Sequence, residues 1–153
     1  MTTSSMEERL ARLEAIEEIK ALKARYCAYA DDNYDAEGLA SLFVQDGIWD
    51  GGQEFGRYVG REDFKKFLDR TRGDIRFAAH LVLNPIIEIQ DATHATGKWR
   101  LLMPATVMAD GARESRWLLC EYDEEYVRHE GRWMFKSVKM KVNFYAPHLK
   151  GWA

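Results

Sequence analysis

Three kinds of side chain that can move protons stand out in the sequence: Tyr26, the adjacent Asp31 and Asp32, and His80. Histidine has an unperturbed pKa of about 6.5, so it can accept or donate a proton at neutral pH. A carboxylate bonded to one ring nitrogen fixes the tautomer, and a buried tyrosine hydroxyl can donate to an oxygen on which negative charge develops. We therefore predict acid–base catalysis by His80, Tyr26 and one of the two aspartates.

This combination suits one class of reaction. A histidine–aspartate base opposite a tyrosine acid can remove a C–H proton beside a carbonyl or a ring, after which a leaving group departs. Elimination, dehydration and isomerisation by this route need no cofactor, and none is predicted. Each residue alone has a simpler explanation, because Tyr26 lies on an apolar helical stripe and an aspartate pair after a helix is typically a cap or a solvated turn.

Aromatic residues make up 12% of the chain, which suggests a pocket for a small hydrophobic or aromatic substrate as well as an aromatic core. We predict substrate contacts from Trp49, Tyr58 and Trp117. Asn143 joins them if its neighbours in the last strand occupy the opposite face.

Helices are predicted in the first half of the chain. Ser5 and Glu8 have the spacing of a capping box, and apolar residues then recur every three or four positions to about Ala30. The solvated face of this helix is predicted to hold Glu17, Glu18, Lys20 and Lys23. Asp35 is predicted to cap a short helix containing Leu39, Leu42 and Phe43, and Gly60 to introduce a third helix.

A short strand is predicted at Ile48 and Trp49, and four longer strands are predicted in the second half of the chain. Hydrophobic residues alternate with a period of two in four runs, separated by turn residues: 77–90, 95–108, 113–128 and 132–145. His80 is predicted at the start of the first run. The pattern indicates an α+β domain, a cone in which three N-terminal helices pack against a strongly curved, mainly antiparallel sheet that encloses a pocket.

Length and charge narrow the remaining possibilities. A chain of 153 residues indicates a single domain over 1–153, with 1–5 as a flexible N-terminus and 146–153 as a C-terminal tail. Twenty-two basic against 25 acidic residues give a net charge of -3, which argues against a nucleic-acid partner. No apolar run approaches about 20 residues, so no membrane partner is predicted. We see no secretory leader, and we expect a cytoplasmic protein.

Metal, nucleotide and serine-hydrolase sites are not predicted. Cys27 and Cys120 lie far apart and outside any metal-ligand spacing, and we expect both to be buried and inert. The chain has no GxSxG, HExxH, P-loop or GxGxxG pattern. An acidic cluster in the third run is predicted to be solvated or ion-paired, and it consists of Glu121, Asp123, Glu124 and Glu125.

Five segments carry a family resemblance: ALKARYCAYADDNYDAEGLASLFVQDGIWDG, GRYVGRE, HLVLNPIIEI, ATGKWRLLMP and YDEEYVRHEGRWMFKS. In this order they resemble the SnoaL-like proteins of the nuclear-transport-factor-two-like superfamily, and the subgroup with scytalone dehydratase, bile acid 7α-dehydratase and hexachlorocyclohexane dehydrochlorinase in particular. The resemblance implies cofactor-free elimination by a His/Asp dyad.

Carried onto this sequence, the resemblance places the dyad histidine at His80 and the helix tyrosine at Tyr26. The family aspartate falls on Asp31 if five residues are counted forward from Tyr26. It falls on Asp32 if the pattern D..D...LASLF is followed back from Leu42 and Phe43. We favour Asp31 because it continues the helix that carries Tyr26. The resemblance also implies a trimer. Because an exposed sheet face is a liability that oligomerisation would cover, we expect a homo-oligomer, a trimer first and a dimer second.

The same fold hosts other functions. The alternatives to a lyase are a non-catalytic small-ligand-binding module and a ketosteroid-isomerase-like proton shuttle. A retro-aldol release of an aldehyde would use the same base and acid as a dehydration.

Overall fold

A computed structural model describes residues 5–150 of the protein. Its elements follow in the order α1 (Met6–Asp31), α2 (Ala36–Ser41), β1 (Phe43–Asp50), α3 (Gly52–Phe55), β2 (Arg57–Val59), α4 (Arg61–Asp74), β3 (Ile75–Ala78), β4 (Leu81–Ile89), β5 (His94–Ala109), β6 (Ala112–His129) and β7 (Arg132–Pro147). The one-turn helix α3 was not predicted.

Helix α1 begins at the predicted capping box. The Ser5 hydroxyl accepts a hydrogen bond from the Glu8 backbone N–H at 3.1 Å, and the Glu8 carboxylate accepts one from the Ser5 backbone N–H at 2.8 Å. These two bonds satisfy backbone donors that have no partner within the helix. The helix then runs to Asp31, and so carries Tyr26 and one candidate catalytic aspartate on the same rigid element.

The second helix is capped by Asp35 as predicted, because the Asp35 carboxylate accepts a hydrogen bond from the Gly38 backbone N–H at 3.1 Å. The prediction that Phe43 belongs to this helix was wrong. Phe43 begins β1, where it pairs in parallel with Phe135 of β7 and is 2% exposed. Pairing with a buried strand outweighs the local helical pattern here.

The sheet has the strand order β2-β1-β7-β6-β5-β3, and β4 also pairs with β5. The antiparallel meander from β4 to β7 confirms the prediction, while β1 joins β7 in parallel. The predicted run 77–90 is divided into β3 and β4, which pair with different parts of β5. His80 therefore lies in the break between two strands and not within one.

The sheet curls around the helices as an α+β cone, and the core lies between them. Alternate residues of β5 point into this core and are almost completely buried: Trp99, Leu101, Met103 and Ala105. They belong to one hydrophobic cluster with residues of α1, α2 and α4. Close packing in this core fixes the end of α1 relative to the β3–β4 break.

The chain ends differ in part from expectation. Strand β7 continues through Pro147, so 146 and 147 belong to the sheet and not to a tail, and the His148 backbone N–H donates to the Ser115 carbonyl at 2.7 Å. Residues 1–4 of the predicted flexible N-terminus and residues 151–153 lie outside the described residues. None of the helices within 5–150 has the length and apolar character that crossing a bilayer requires.

Candidate active site

The end of α1 and the β3–β4 break bring Asp31 and His80 together. Oδ1 of Asp31 lies 2.7 Å from Nδ1 of His80 and also accepts a hydrogen bond from the His80 backbone N–H at 2.9 Å. The His80 side chain is 7% exposed and the Asp31 side chain 37%. An ionised carboxylate can only accept, so Nδ1 of His80 is the donor in this pair, and the neutral form of the imidazole has its lone pair on Nε2.

Asp32 has a different environment. It is the C-cap residue of α1, is exposed, and uses its backbone N–H to donate to the Ala28 carbonyl. Among residues 5–150 its carboxylate makes no hydrogen bond or ion pair. Of the two candidate aspartates, the structure places Asp31 against His80.

The Tyr26 hydroxyl accepts a hydrogen bond of 2.9 Å from Nε1 of Trp49. An indole N–H can only donate, so the proton of the Tyr26 hydroxyl is left to be donated elsewhere. Burial raises the pKa of Tyr26 well above its usual range, although the bond from Trp49 opposes this shift. Tyr26 is therefore a protonated donor at neutral pH.

His80 and Tyr26 line the same cavity of about 50 Å³. Most of the other residues that line it are aromatic or aliphatic. They are Ala30, Tyr34, Leu39, Trp49, Phe55, Phe67, Leu68, Thr71, Ile75, Leu101, Met103, Leu118, Tyr122 and Met140. A larger groove of about 830 Å³ lies between α1 and the β6–β7 turn, but neither His80 nor Tyr26 lines it. The chemistry-bearing residues converge on the smaller space.

Two of the predicted substrate contacts lie at or near this cavity. Trp49 is part of its wall. Tyr58 lines an adjoining vestibule of about 410 Å³ and donates its hydroxyl proton to the Phe55 carbonyl at 3.0 Å. The vestibule and the cavity share four lining residues, which are Phe55, Phe67, Thr71 and Ile75. Phe55 and its neighbours thus separate an outer space from an inner one.

The other two predicted contacts lie elsewhere, which corrects the expectation that they face the interior. Trp117 alternates with the buried Leu118 on β6, so its ring lies on the opposite side and contacts His148. Asn143 is the extra residue of a bulge, because Val142 pairs with Cys120 and Phe144 with Leu119. Its side chain is exposed and donates to Glu121.

Sequence analysis missed Tyr34 and Tyr122 as cavity residues. Burial raises the pKa of each well above its usual range, so both are protonated phenols. Tyr34 follows Asp31 by three residues in the turn before α2, and its ring centroid is 5.9 Å from that of His80. Its position three residues after the candidate aspartate is the one sequence signal that could have indicated it.

A buried ion pair lies next to the cavity. Lys23 was predicted on the solvated face of α1, and Glu124 in an acidic cluster that is solvated or ion-paired. Glu124 is ion-paired, but with Lys23, and both side chains are fully buried. The ammonium group of Lys23 lies 3.5 Å from the ring centroid of Tyr122 and 4.6 Å from that of Tyr26. Lys23 therefore packs its cation against two of the cavity tyrosines.

The cysteines and the acidic groups do not form a metal centre in the described part of the chain. No group of three or more Cys, His, Asp or Glu side chains within 5–150 is arranged to hold a metal ion. Cys27 and Cys120 are buried and unpaired, and burial raises their pKa values to about 11 and about 12. Both are thiols at neutral pH.

Comparison with known proteins identifies the family to which the chain belongs. The sequence profile of the SnoaL-like domain matches residues 11–139. Comparison with curated proteins gives no match.

Solved structures share the fold. One is a candidate scytalone dehydratase from Novosphingobium aromaticivorans, with a TM-score of 0.81, 24% identity and 90% of each chain covered. Another is the hexachlorocyclohexane dehydrochlorinase LinA type 2, with a TM-score of 0.84, 22% identity and coverage of 93% of this chain and 94% of that one. A third is LinA type 3 from Novosphingobium barchaimii, with a TM-score of 0.82, 22% identity and coverage of 93% and 95%. The profile match covers most of the chain, and the protein belongs to the SnoaL-like domain family, with the cone-shaped fold of the nuclear-transport-factor-two-like superfamily.

Proposed function

We propose that the protein is a cofactor-independent lyase of the dehydratase type that acts on a small hydrophobic cyclic or aromatic compound. The observation that carries this proposal is the pairing of His80 with Asp31 at an aromatic cavity that Tyr26 also lines. A base, a carboxylate that orients it and a proton donor are the groups that such an elimination needs.

In the proposed reaction, Nε2 of His80 removes a C–H proton beside a carbonyl or a ring, and the electrons of that bond form a C=C bond. A hydroxyl group leaves with a proton from Tyr26 and becomes water. The His80 imidazolium, stabilised by Asp31, then returns a proton to Tyr26. Loss of halide, or retro-aldol release of an aldehyde, fits the same base.

The size of the cavity bears on how such a substrate would bind. An engineered protein cavity of about 150 Å³ holds a benzene ring, whereas this cavity has about 50 Å³. A ring-shaped substrate therefore enters only if wall residues move apart. The side chains shared with the vestibule, Phe55 and Phe67 among them, are those that a substrate arriving from outside would displace.

The two alternatives have less support. A ketosteroid-isomerase-like shuttle needs a carboxylate that projects alone into the cavity, and no Asp or Glu is among the described cavity residues. A non-catalytic binding module has no need of a histidine that is held in one tautomer by a carboxylate.

The proposed activity is tested with a panel of hydroxylated and halogenated cyclic compounds. Turnover appears as ultraviolet absorbance of the new conjugated C=C bond, or as released halide. Binding of the same compounds is followed in parallel by calorimetry. Compounds that bind in the cavity but are never converted would favour the binding module.

The first prediction separates the two aspartates. Asp31→Asn should lower turnover about 10²-fold or more, because the imidazolium loses its carboxylate partner. Asp32→Asn makes the same chemical change one residue away on an exposed side chain, and it should leave turnover unchanged. Steady-state kinetics of both variants on one substrate checks this. Equal losses in both variants would contradict the assignment of Asp31.

The second prediction concerns assembly, for which we propose a homo-oligomer, a trimer first and a dimer second. Large apolar side chains of β3, β4 and β7 are 44–59% exposed: Phe77, Leu81, Leu83, Ile86 and Phe144. Such a surface is a liability in a monomer. Sedimentation equilibrium should give a multiple of 17.8 kDa, and Ile86→Glu should shift the mass towards the monomer. A monomeric wild-type protein at micromolar concentration would overturn this proposal.

A further inference from the structure

The turn between α1 and α2 has an unusual backbone at Tyr34. Asn33 and Tyr34 both adopt positive φ angles, +51° and +52°, in the left-handed region that a bulky side chain rarely occupies. The conformation is held from both sides, since the Tyr34 N–H donates to the Ala30 carbonyl at 3.1 Å and the Tyr34 carbonyl accepts from Arg72 at 3.4 Å. Backbone of this kind is often retained where a side chain must point in one direction.

The side chain that this turn directs inwards meets the candidate base. Tyr34 is 8% exposed, and its ring stands at 78° to the imidazole of His80, an edge-to-face contact. Both rings line the cavity. Within residues 5–150, the Tyr34 hydroxyl has no hydrogen-bond partner. A hydrogen bond of the hydroxyl therefore does not account for the position of the ring.

Asp31 and Tyr34 constrain the imidazole in complementary ways. The carboxylate fixes Nδ1 through a single bond of 2.7 Å, and one bond leaves the ring plane free to tilt about it. A ring packed at right angles limits that tilt.

We propose that Tyr34 is a positioning residue for His80, whose ring, together with the Asp31 carboxylate, holds the imidazole in the orientation that presents Nε2 to the cavity. The contacts themselves do not depend on the lyase proposal, but the catalytic consequence rests on it. Tyr34 would act through its ring and not through its hydroxyl.

The test compares Tyr34→Phe, which keeps the ring, with Tyr34→Met, which fills a similar space without one. The readout is the ¹⁵N NMR shift of the His80 ring nitrogens, assigned with His80→Gln. In the wild type the shifts should show the proton on Nδ1. Tyr34→Phe should keep this pattern. Tyr34→Met should shift it towards the tautomer mixture of free histidine, because an imidazole that tilts loses its alignment with the Asp31 carboxylate. Tyr29→Met, a change near the end of α1 at a residue absent from the cavity wall, is the matched control and should change nothing.

A folded Tyr34→Met variant with wild-type ¹⁵N shifts would overturn the proposal. If Tyr34→Met does not fold, nuclear Overhauser effects in the wild type decide: the ring protons of Tyr34 and His80 should show cross-peaks, and their absence would overturn it. The result of this test does not depend on whether the lyase proposal is correct. Altered His80 shifts in a protein that converts no substrate would support the positioning role and refute the proposed reaction.

Discussion

His80→Ala should lower the turnover of an identified elimination substrate by about 10²- to 10⁴-fold, the usual contribution of a positioned general base. The reason is geometric: among the described side chains that line the cavity, only His80 combines a basic nitrogen with a carboxylate partner, at 2.7 Å. The remaining activity would come from substrate binding and from donation by Tyr26. Steady-state kinetics of wild type and variant on the same compound gives the ratio.

The protein contains a matched control for this change. His94 also pairs through Nδ1 with an aspartate, Asp91, at 3.1 Å, but this pair is exposed and joins the β4–β5 turn to the first residue of β5. Hydrogen bonds from the Thr93 backbone and hydroxyl lower the pKa of Asp91 to about 2, and the bonds from His94 add to this effect. His94→Ala should therefore leave turnover unchanged. Full turnover by His80→Ala would remove His80 from the mechanism.

The sequence predicts an element well where the residues that determine it lie close together in the chain. The capping box at Ser5, the Asp35 cap and the alternation in β5 to β7 each depend on residues a few positions apart. Phe43 and the run 77–90 show where this fails. Their conformation depends on pairing with β7 and β5, which are distant in sequence, so no local pattern contains the information.

The candidate site likewise has features that the sequence predicted and features that depend on contacts between distant parts of the chain. The pairing of His80 with one of two aspartates followed from chemistry, but the choice of Asp31 depends on which residue ends α1 facing the β3–β4 break. Asn143 was misplaced because it lies on the exposed side of β7 with Lys139 and Lys141, opposite the side that buries Val138 and Met140. Lys23 was misplaced because its charge predicts a solvated face unless Glu124, 101 residues away, is known to neutralise it.

That buried pair leads to the largest expected effect on stability. Lys23→Met should reduce the free energy of unfolding by about 3–5 kcal/mol, because it leaves the Glu124 carboxylate buried without a cation. Within the described part of the chain, the Glu124 side chain would keep only the hydrogen bond from the Tyr126 hydroxyl, which itself accepts from Nε1 of Trp99 at 3.0 Å. For a chain of this length, the melting temperature should fall by on the order of 10 °C. Thermal and urea unfolding followed by circular dichroism measure both quantities.

Lys20→Met is the matched control, because Lys20 lies on the same helix and pairs with Glu17, but the two side chains are 43% and 70% exposed. A surface pair contributes about 1 kcal/mol or less, so this variant should melt close to the wild type. Adding Glu124→Gln to Lys23→Met removes the uncompensated charge while keeping an acceptor for Tyr126, and it should recover much of the lost stability. If Lys23→Met were no less stable than Lys20→Met, the buried pair would have no part in holding α1 against β6.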